Sequence, residues 1–517
     1  MSLPLRVEST PGYRPRPPTN QLKEIVDDSL EELFRVWDDR FQESFGPLPA
    51  RVRELCERFL RCGDLHFGFL RLRCVTAECP EKRELLLPFS CRSRGLCPSC
   101  GQRRAIEWAE RMVEEVLPLV PYRHLIFSIP VTLRKAFLFD RSLYGDLCRV
   151  AYASTRDFLR ERAPLLARQG KAVPAMVVSP QSFGDLLVMN AHAHAVVSLG
   201  VFRKDGIFFP LEDLDFSGIE ELFRERFFEM LLHRERILPE TVEKFKSWDH
   251  SGFNVSWDRK LEAEDREGLE GLLSYIERPA VSIRRLTYRL DGLVHYQGMK
   301  LHPRLGIDHQ LLKPVDFLAL LIPHVLLKYE ITLRLYGALS TTFRRKLGWI
   351  RNPPVRTPPP EALPAPAILP HPDLIPTAEF PQPESSTPCT TPTSSSPHPE
   401  ADDDPEWLRK RKRSWATLIY RAWHDHPEIC RSCGKPMEII AAIAPEQGDV
   451  IERILRCLHL WDPPWKRQRK ARGPPPASSS QSAATSTPAP EESIDRIIDD
   501  ELYAVDPIPQ EDDNTRA

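Results

Sequence analysis

Cysteine carries the densest chemistry in this sequence. Seven of the 12 cysteines fall between Cys56 and Cys100, and one stretch, Leu96-Cys-Pro-Ser-Cys-Gly101, is a CPxCG knuckle. Such a knuckle turns tightly enough to aim two thiolates at one tetrahedral zinc ion, whose other two ligands must come from a second pair. Cys74 and Cys79 are the expected partners, which gives a ribbon-like site of Cys74, Cys79, Cys97 and Cys100. Cys62, Cys91 and His66 stand as substitutes or as members of a second site. Free cysteine is also a common buried apolar residue. A knuckle inside a cluster, in a chain too long for a disulfide scaffold, points instead to metal. Arg92, Arg94, Arg103 and Arg104 are interspersed with these thiols and suit phosphate contact. Far downstream, Cys430 and Cys433 make half of another site. His424 and His426 would complete it, and a metal-free pair is the competing reading.

A second constellation is histidine. In Met189-Asn-Ala-His-Ala-His-Ala-Val-Val-Ser-Leu199, His192 and His194 are two apart in a strand pattern. Alternation turns both imidazoles to one face, where they can share one ion, and turns Ala193 to the other. An HxH pair by itself is a weak signal, because zinc hydrolases, cupins and ordinary strands contain it too. An HxHxDH hydrolase is disfavoured, since Val196 and Val197 stand where Asp and His would be.

These residues need elements to hold them. Helical pattern covers Gln21 to Phe45 and Arg51 to Arg61 ahead of the cysteines, and an amphipathic helix from Ala105 to Val116 follows them. Strands are expected at His124 to Ile129, Ala175 to Ser179, His192 to Phe202 and Gly206 to Phe209. Helices are expected at Glu220 to Leu232, Glu264 to Tyr275 and Asp316 to Leu327. Between the last two, Ser282 to Leu290 and Val294 to Leu301 form a hairpin about Asp291-Gly292. Strands not cleanly separated by crossover helices predict an α+β fold, an antiparallel sheet with packed helices.

The formal charge of −2 conceals a basic first two thirds and an acidic end, Glu491 to Asp513. The 51 prolines concentrate in two stretches. The organisation predicted is an unfolded arm (1–20), a zinc-binding domain (21–106) and a mixed α/β domain (107–348). A Pro-rich linker (351–405), a small module (406–465) and an acidic disordered tail (466–517) complete it. The small module includes the basic run Arg409 to Arg413. No start segment reads as a secretory signal, and Phe317 to Leu327 is too short to span a bilayer. A cytoplasmic protein without membrane association is expected.

The order of motifs resembles a known family. SCRSRGLCPSCG precedes HLIFSIP and QSFGDLLVMNAHAHAVVSLGVF, and SYIERPAVSIRRLTY and PVDFLALLIPHVLLKYEITLRLYGALS follow. This set, with the later WATLIYRAW, CRSCGKPMEIIAAI and VIERILRCL segments, is similar to transposases of the insertion-sequence-ninety-one family, within the HUH nuclease superfamily. The resemblance implies an HUH nuclease-like fold and implies that His192 and His194 bind Mg²⁺ or Mn²⁺. It implies that Tyr275 of YIERP attacks DNA and that Gln181 offers a further ligand. Some members carry a second tyrosine one helical turn earlier; here that position is Gly271, so a single-tyrosine enzyme is expected. A histidine more often stands where Asn190 does. Read from the residues alone, Tyr275 ends a helix closed by Pro279, and packing beside Leu272 and Ile276 would be its ordinary role.

The implied chemistry is phosphoryl transfer: Tyr275 displaces the 3′ oxygen of single-stranded DNA at mobile-element ends and leaves a 5′-phosphotyrosine. Bond energy is retained, no P-loop is visible, and ATP is not expected as a partner. A catalytically inactive zinc-dependent DNA-binding protein and a plasmid-type replication initiator or relaxase are the alternatives.

Overall fold

The computed structural model describes residues 20–79, 84–163, 172–248, 250–302, 305–327, 330–349, 428–430 and 432–461. The expected N-terminal arm, the Pro-rich linker, the Arg409–Arg413 run, His424, His426 and the acidic tail lie outside the described residues. Among the described residues no helix is long and apolar enough to cross a membrane.

Asn20 opens α1 (Gln21–Arg40) by accepting the Lys23 amide on its side-chain oxygen, which satisfies a donor that a helix start leaves unpaired. Leu22, Ile25, Val26, Leu33 and Trp37 recur every three or four residues and are buried on one face. The short helix α2 (Val52–Leu60) packs on α1, and the antiparallel strands β1 (Phe69–Cys74) and β2 (Glu84–Pro88) follow. The next helix, α3 (Pro98–Arg111), begins on the knuckle itself, upstream of the expected Ala105. Pro98 sits in its first turn, where a missing amide costs no intrahelical bond. A π-helical turn, Met112–Val116, ends it. Because α3 runs across residue 106, the expected domain boundary there falls inside a continuous helix.

Beyond α3 come β3 (Tyr122–Ser128), α4 (Leu143–Glu161), β4 (Ala175–Phe183) and β5 (Met189–Ser198). The small pair β6 (Gly200–Phe202) and β7 (Phe208–Pro210) leads to α5 (Ile219–His233), β8 (Asn254–Leu261) and α6 (Arg266–Ile276). Strands β9 (Leu286–Tyr288), β10 (Val294–Gln297) and β11 (His309–Leu312) form their own antiparallel sheet, ahead of α7 (Pro314–Leu321). After β12 (Arg334–Gly337), the later segment supplies β13 (Met437–Ile443) and α8 (Gly448–Cys457).

Strands β12, β4, β5, β3 and β8 lie side by side in that order, every neighbour antiparallel. The protein is therefore mixed helix and antiparallel sheet, and β5 is the middle strand. Its Ala193, Ala195 and Val197 face a core with Leu125, Phe127, Met176 and Val178, which α4 and α5 close with Leu147, Phe158, Phe223 and Phe227. Val177, Val196 and Tyr122 belong to the opposite face, covered by Ala109 of α3 and by Leu269, Leu272, Leu273 and Ile276 of α6. The N-terminal helices are not a separate body: α1 shares a core with Phe317, Leu318 and Leu321 of α7. Arg40 there meets the buried carboxylate of Asp316 at 2.9 Å. Nor does 428–461 stand alone, since β13 pairs with β1 and makes a sheet of order β13-β1-β2.

The loop from β4 to β5 holds two leucines, Leu186 and Leu187, at φ of 55° and 61°, a region that costs an L-residue roughly 1–2 kcal/mol. Both side chains are buried in the α1–α7 core. His324 pins the same loop: its Nε2–H donates to the Leu187 carbonyl at 2.9 Å, and Nδ1 accepts the Ser182 hydroxyl at 3.0 Å. Burial pushes the His324 imidazole down to about 4 from an ordinary 6.5. Folding thus favours its neutral form, while the unfolded chain takes up a proton as pH falls below 6.5. Stability is full above that pH and declines towards pH 4. From pH 6.5 to 5 the wild type should lose about 1.5 kcal/mol more than His324→Gln, as read from urea midpoints of the two proteins.

Candidate active site

The middle strand presents His192 and His194 on the face towards α6. His192 Nδ1 donates to the Asn190 carbonyl at 2.7 Å, which leaves Nε2 as a lone pair. That lone pair lies 3.1 Å from His194 Nε2. The other nitrogen of His194, Nδ1, is 3.0 Å from Nε2 of His124 on β3. Donation from His194 Nδ1–H to His124 turns the His194 Nε2 lone pair towards that of His192, the usual way a neighbour orients a metal-binding imidazole. Two ligands of one ion, with bonds of ~2.1 Å at a right angle, lie ~3.0 Å apart. The pair fits that geometry. Burial pushes His192 down to about 4 and His194 well below its ordinary value, so both rings are neutral and able to ligate.

Gln181 of β4 is opposite His192 in the register and so shares its face. Its Nε2 donates to the Ile276 carbonyl at 2.5 Å, while its buried Oε1 has no hydrogen-bond partner among the described residues. An orphaned amide oxygen beside two imidazole lone pairs suits a hard divalent cation.

Tyr275 stands over this group. Asp265 caps α6 by accepting the Gly268 amide, and Leu272 and Ile276 turn inward while Tyr275 is 47% exposed. The tyrosine therefore does not pack with those two neighbours, and its ring meets that of His194 edge-on, with centroids 6.2 Å apart. The Arg278 guanidinium lies 3.9 Å from the Tyr275 ring centre. Glu277 accepts hydroxyls of Ser179 and Thr332, each at 3.0 Å, and burial pushes its carboxyl above the ordinary value.

Beside this group a cleft is lined by Arg94, Arg104, Gln181, Glu277, Arg278 and His324, among others. Two of the four arginines near the knuckle thus reach the site. Arg94 also donates to the Glu330 carbonyl at 3.2 Å. Arg92, exposed at a φ of 53°, and Arg103, 3.5 Å from the Ser90 hydroxyl, lie outside the cleft lining. His124, Glu277 and Arg278 escaped the sequence reading. His124 opens the HLIFSIP strand, and only the β3–β5 register reveals that it faces His194.

The cysteines fall into two sets, not the one expected. Cys97 and Cys100 join Cys62 and Cys91, whereas Cys74 and Cys79 join Cys430 and Cys433. The expected site of Cys74, Cys79, Cys97 and Cys100 is corrected accordingly. Cys74 ends β1 opposite Met437 of β13, which sets it beside the Cys430–Cys433 knuckle instead. In the first set Cys62 Sγ is 3.9 Å from Cys97 and 3.7 Å from Cys100, and Cys91 is 3.7 Å from Cys100. A tetrahedral ion with Zn–S of ~2.3 Å separates its sulfurs by ~3.8 Å. The Cys91 and Ser93 amides donate to the Cys62 and Cys91 sulfurs, each at 3.3 Å, and the buried Lys23 donates to the Cys62 carbonyl.

Residues 33–129 match the family described as "Transposase zinc-binding domain", and residues 176–346 match one described as "Putative transposase". The chain is similar to a protein of Pseudomonas savastanoi pv. phaseolicola named "Transposase for insertion sequence element IS801", at 24% identity over 363 residues. That alignment covers 65% of this chain and 79% of the relative. No solved structure matches.

Changing Cys97 and Cys100 to serine removes two thiolates from a buried tetrahedral set. Zinc measured by elemental analysis should fall by one ion per chain, and residues 21–111 should become sensitive to protease. Undiminished zinc in the double variant would overturn the ligand set.

Proposed function

The chain belongs to the transposases of the insertion-sequence-ninety-one type, and we propose that it nicks and rejoins single-stranded DNA at mobile-element ends through a 5′-phosphotyrosine on Tyr275. The observation that carries this reading is the Tyr275 ring set edge-on to His194, directly beside the converged nitrogens of His192 and His194. A half-exposed tyrosine at that position would let its hydroxyl reach a phosphate bound beside the two histidines. On this reading the antiparallel sheet is an HUH nuclease-like fold.

A bound Mg²⁺ or Mn²⁺, held by His192, His194 and Gln181, would polarise and orient the scissile phosphate. The Tyr275 oxygen attacks phosphorus and forms a Tyr–O–P bond as the P–O3′ bond breaks. The phenolic proton is balanced by the proton gained at the departing 3′ oxygen, which leaves a free 3′-OH. In the reverse sense a 3′-OH attacks the phosphotyrosine and restores the Tyr275 hydroxyl, so strand transfer needs no nucleotide. Arg278 over the ring, with Arg94 and Arg104 in the adjoining cleft, counters phosphate charge. Glu277 accepts hydroxyls from Ser179 on β4 and Thr332, and so fixes the end of α6 to the sheet. With Gly271 one turn before Tyr275, each chain carries one covalent DNA link at a time.

Tyr275→Phe removes a single hydroxyl from an exposed ring, so folding and DNA binding should be unchanged. Incubation with Mn²⁺ and a single-stranded oligonucleotide from the element end should give a denaturant-resistant adduct in wild type and none in the variant. His192→Ala with His194→Ala should abolish the adduct as well. Proteolysis should map the adduct to the Tyr275 peptide. Mapping to Tyr288 or Tyr296 would overturn the nucleophile, and absence of any adduct in wild type would favour a DNA-binding protein without nicking activity.

A further inference from the structure

The second four-cysteine set joins distant parts of the chain. We propose that Cys74, Cys79, Cys430 and Cys433 bind a second zinc ion, and that this ion clasps the C-terminal strand–helix unit to the N-terminal module. Cys74 Sγ is 3.6 Å from Cys433 and Cys79 Sγ is 3.8 Å from Cys430, and the four ligand atoms all lie within 4.8 Å of one another. These are the separations that four thiolates take around a tetrahedral ion with Zn–S of ~2.3 Å.

Each pair sits on a turn built to aim sulfur. Cys74 ends β1, and a turn closed by the Cys79 amide on the Thr76 carbonyl, at 3.1 Å, brings Cys79 back beside it. On the other side, the Gly434 amide donates to the Cys430 carbonyl and the Cys430 amide to the Lys435 carbonyl, both at 2.8 Å. Gly434 adopts a φ of 69°, open to glycine at no steric cost, and so lets the CRSCG knuckle close. Leu72, Leu87 and Met437 wall the cluster, and Cys74, Cys79 and Cys430 are buried. A tetrahedral all-sulfur donor set selects zinc or iron among common metals.

The two halves of this site are 351 residues apart at Cys79 and Cys430. A metal that holds them closes a loop whose entropic cost grows with its length. It also fixes the register of β13 on β1, where Met437 lies opposite Cys74. Without β13, β1 and β2 are a two-stranded ribbon, which is marginal alone. With it, Phe69, Leu86, Ile443, Ile451 and Leu455 close a small core under α8. The C-terminal unit is thus part of the zinc-binding module and docks through a metal.

Elemental analysis of the full chain, purified in reductant, tests this. Wild type should hold two zinc ions, and Cys430→Ser with Cys433→Ser should hold one, kept by Cys62, Cys91, Cys97 and Cys100. Retention of that first ion shows that the variant is folded. If both are lost, Cys433→His decides: cobalt exchange should then give the spectrum of a three-sulfur, one-nitrogen site beside that of a four-sulfur site. Limited proteolysis within residues 351–405 adds a second readout. The wild-type C-terminal fragment should co-elute with the rest of the chain until a chelator removes the metal, and the serine variant's fragment should separate without chelator. Two zinc ions in the double serine variant, iron in place of zinc, a cobalt spectrum unchanged by Cys433→His, or a fragment that stays bound after complete metal removal would each overturn the clasp.

Discussion

The register of β5 against β3 and β4 is the constraint on which the candidate site depends. Side chains alternate along a strand, so a slip of one residue would turn His192 and His194 towards α4 and α5 and bring Ala193 to the face of α6. The apolar pattern opposes such a slip. Ala193, Ala195 and Val197 fill a core crowded with phenylalanines from α4 and α5, and imidazoles there would lose their solvation without gaining partners. The same register sets Gln181 opposite His192 and carries His124 onto the face of His194. Three strands therefore bring His124, Gln181, His192 and His194 together on one face.

Tyr275 is held by different means. Leu269, Leu272, Leu273 and Ile276 seat α6 on the sheet, and Tyr275, in the same last turn, is left facing His194. Gln181 then links the two systems, donating to the Ile276 carbonyl from the strand that carries it. Its amide nitrogen is committed to the helix, and its buried oxygen has no hydrogen-bond partner among the described residues. One side chain so couples the position of α6 to that of the paired histidines.

Much of this was legible in the sequence because it is local. The two-residue spacing of His192 and His194 defines a shared face for any strand, and the helix ending near Tyr275 follows from its apolar period and from Pro279. The CPxCG knuckle likewise announces two converging thiolates wherever it occurs. What was not legible is pairing at a distance. The choice of Cys62 and Cys91 over Cys74 and Cys79 is made by how α2, β1 and α3 stack, and the partnership with Cys430 and Cys433 by the return of β13 to β1. Spacing along the chain carries no trace of either. Short or weakly alternating strands were lost for a related reason: β12 is four residues long, and its place at the sheet edge comes from β4. The helix α4 was legible in principle, since Leu143, Leu147, Val150, Ala151 and Phe158 follow the helical period, but Gly145 and Ser154 interrupt the pattern.

The zinc-binding module and the five-stranded sheet meet through α3. Its first turn carries Cys100, and the next residue, Gly101, lies so close to Pro279 that a Cβ there would come within 2.6 Å of the ring. Pro279 follows Arg278, whose guanidinium covers the Tyr275 ring. Arg94 and Arg104, just before and within the same helix, line the cleft that Glu277 and Arg278 share. An ion fixed by Cys97 and Cys100 would fix where α3 starts, and through the Gly101–Pro279 contact it would fix the end of α6. Lys23 reinforces the arrangement from α1: its buried ammonium donates to the Cys62 carbonyl and offsets the negative charge of the thiolates around it. A zinc ion there would thus act on the position of Tyr275 at a distance, through the packed contacts that run from Cys100 and Gly101 to Pro279 and Arg278.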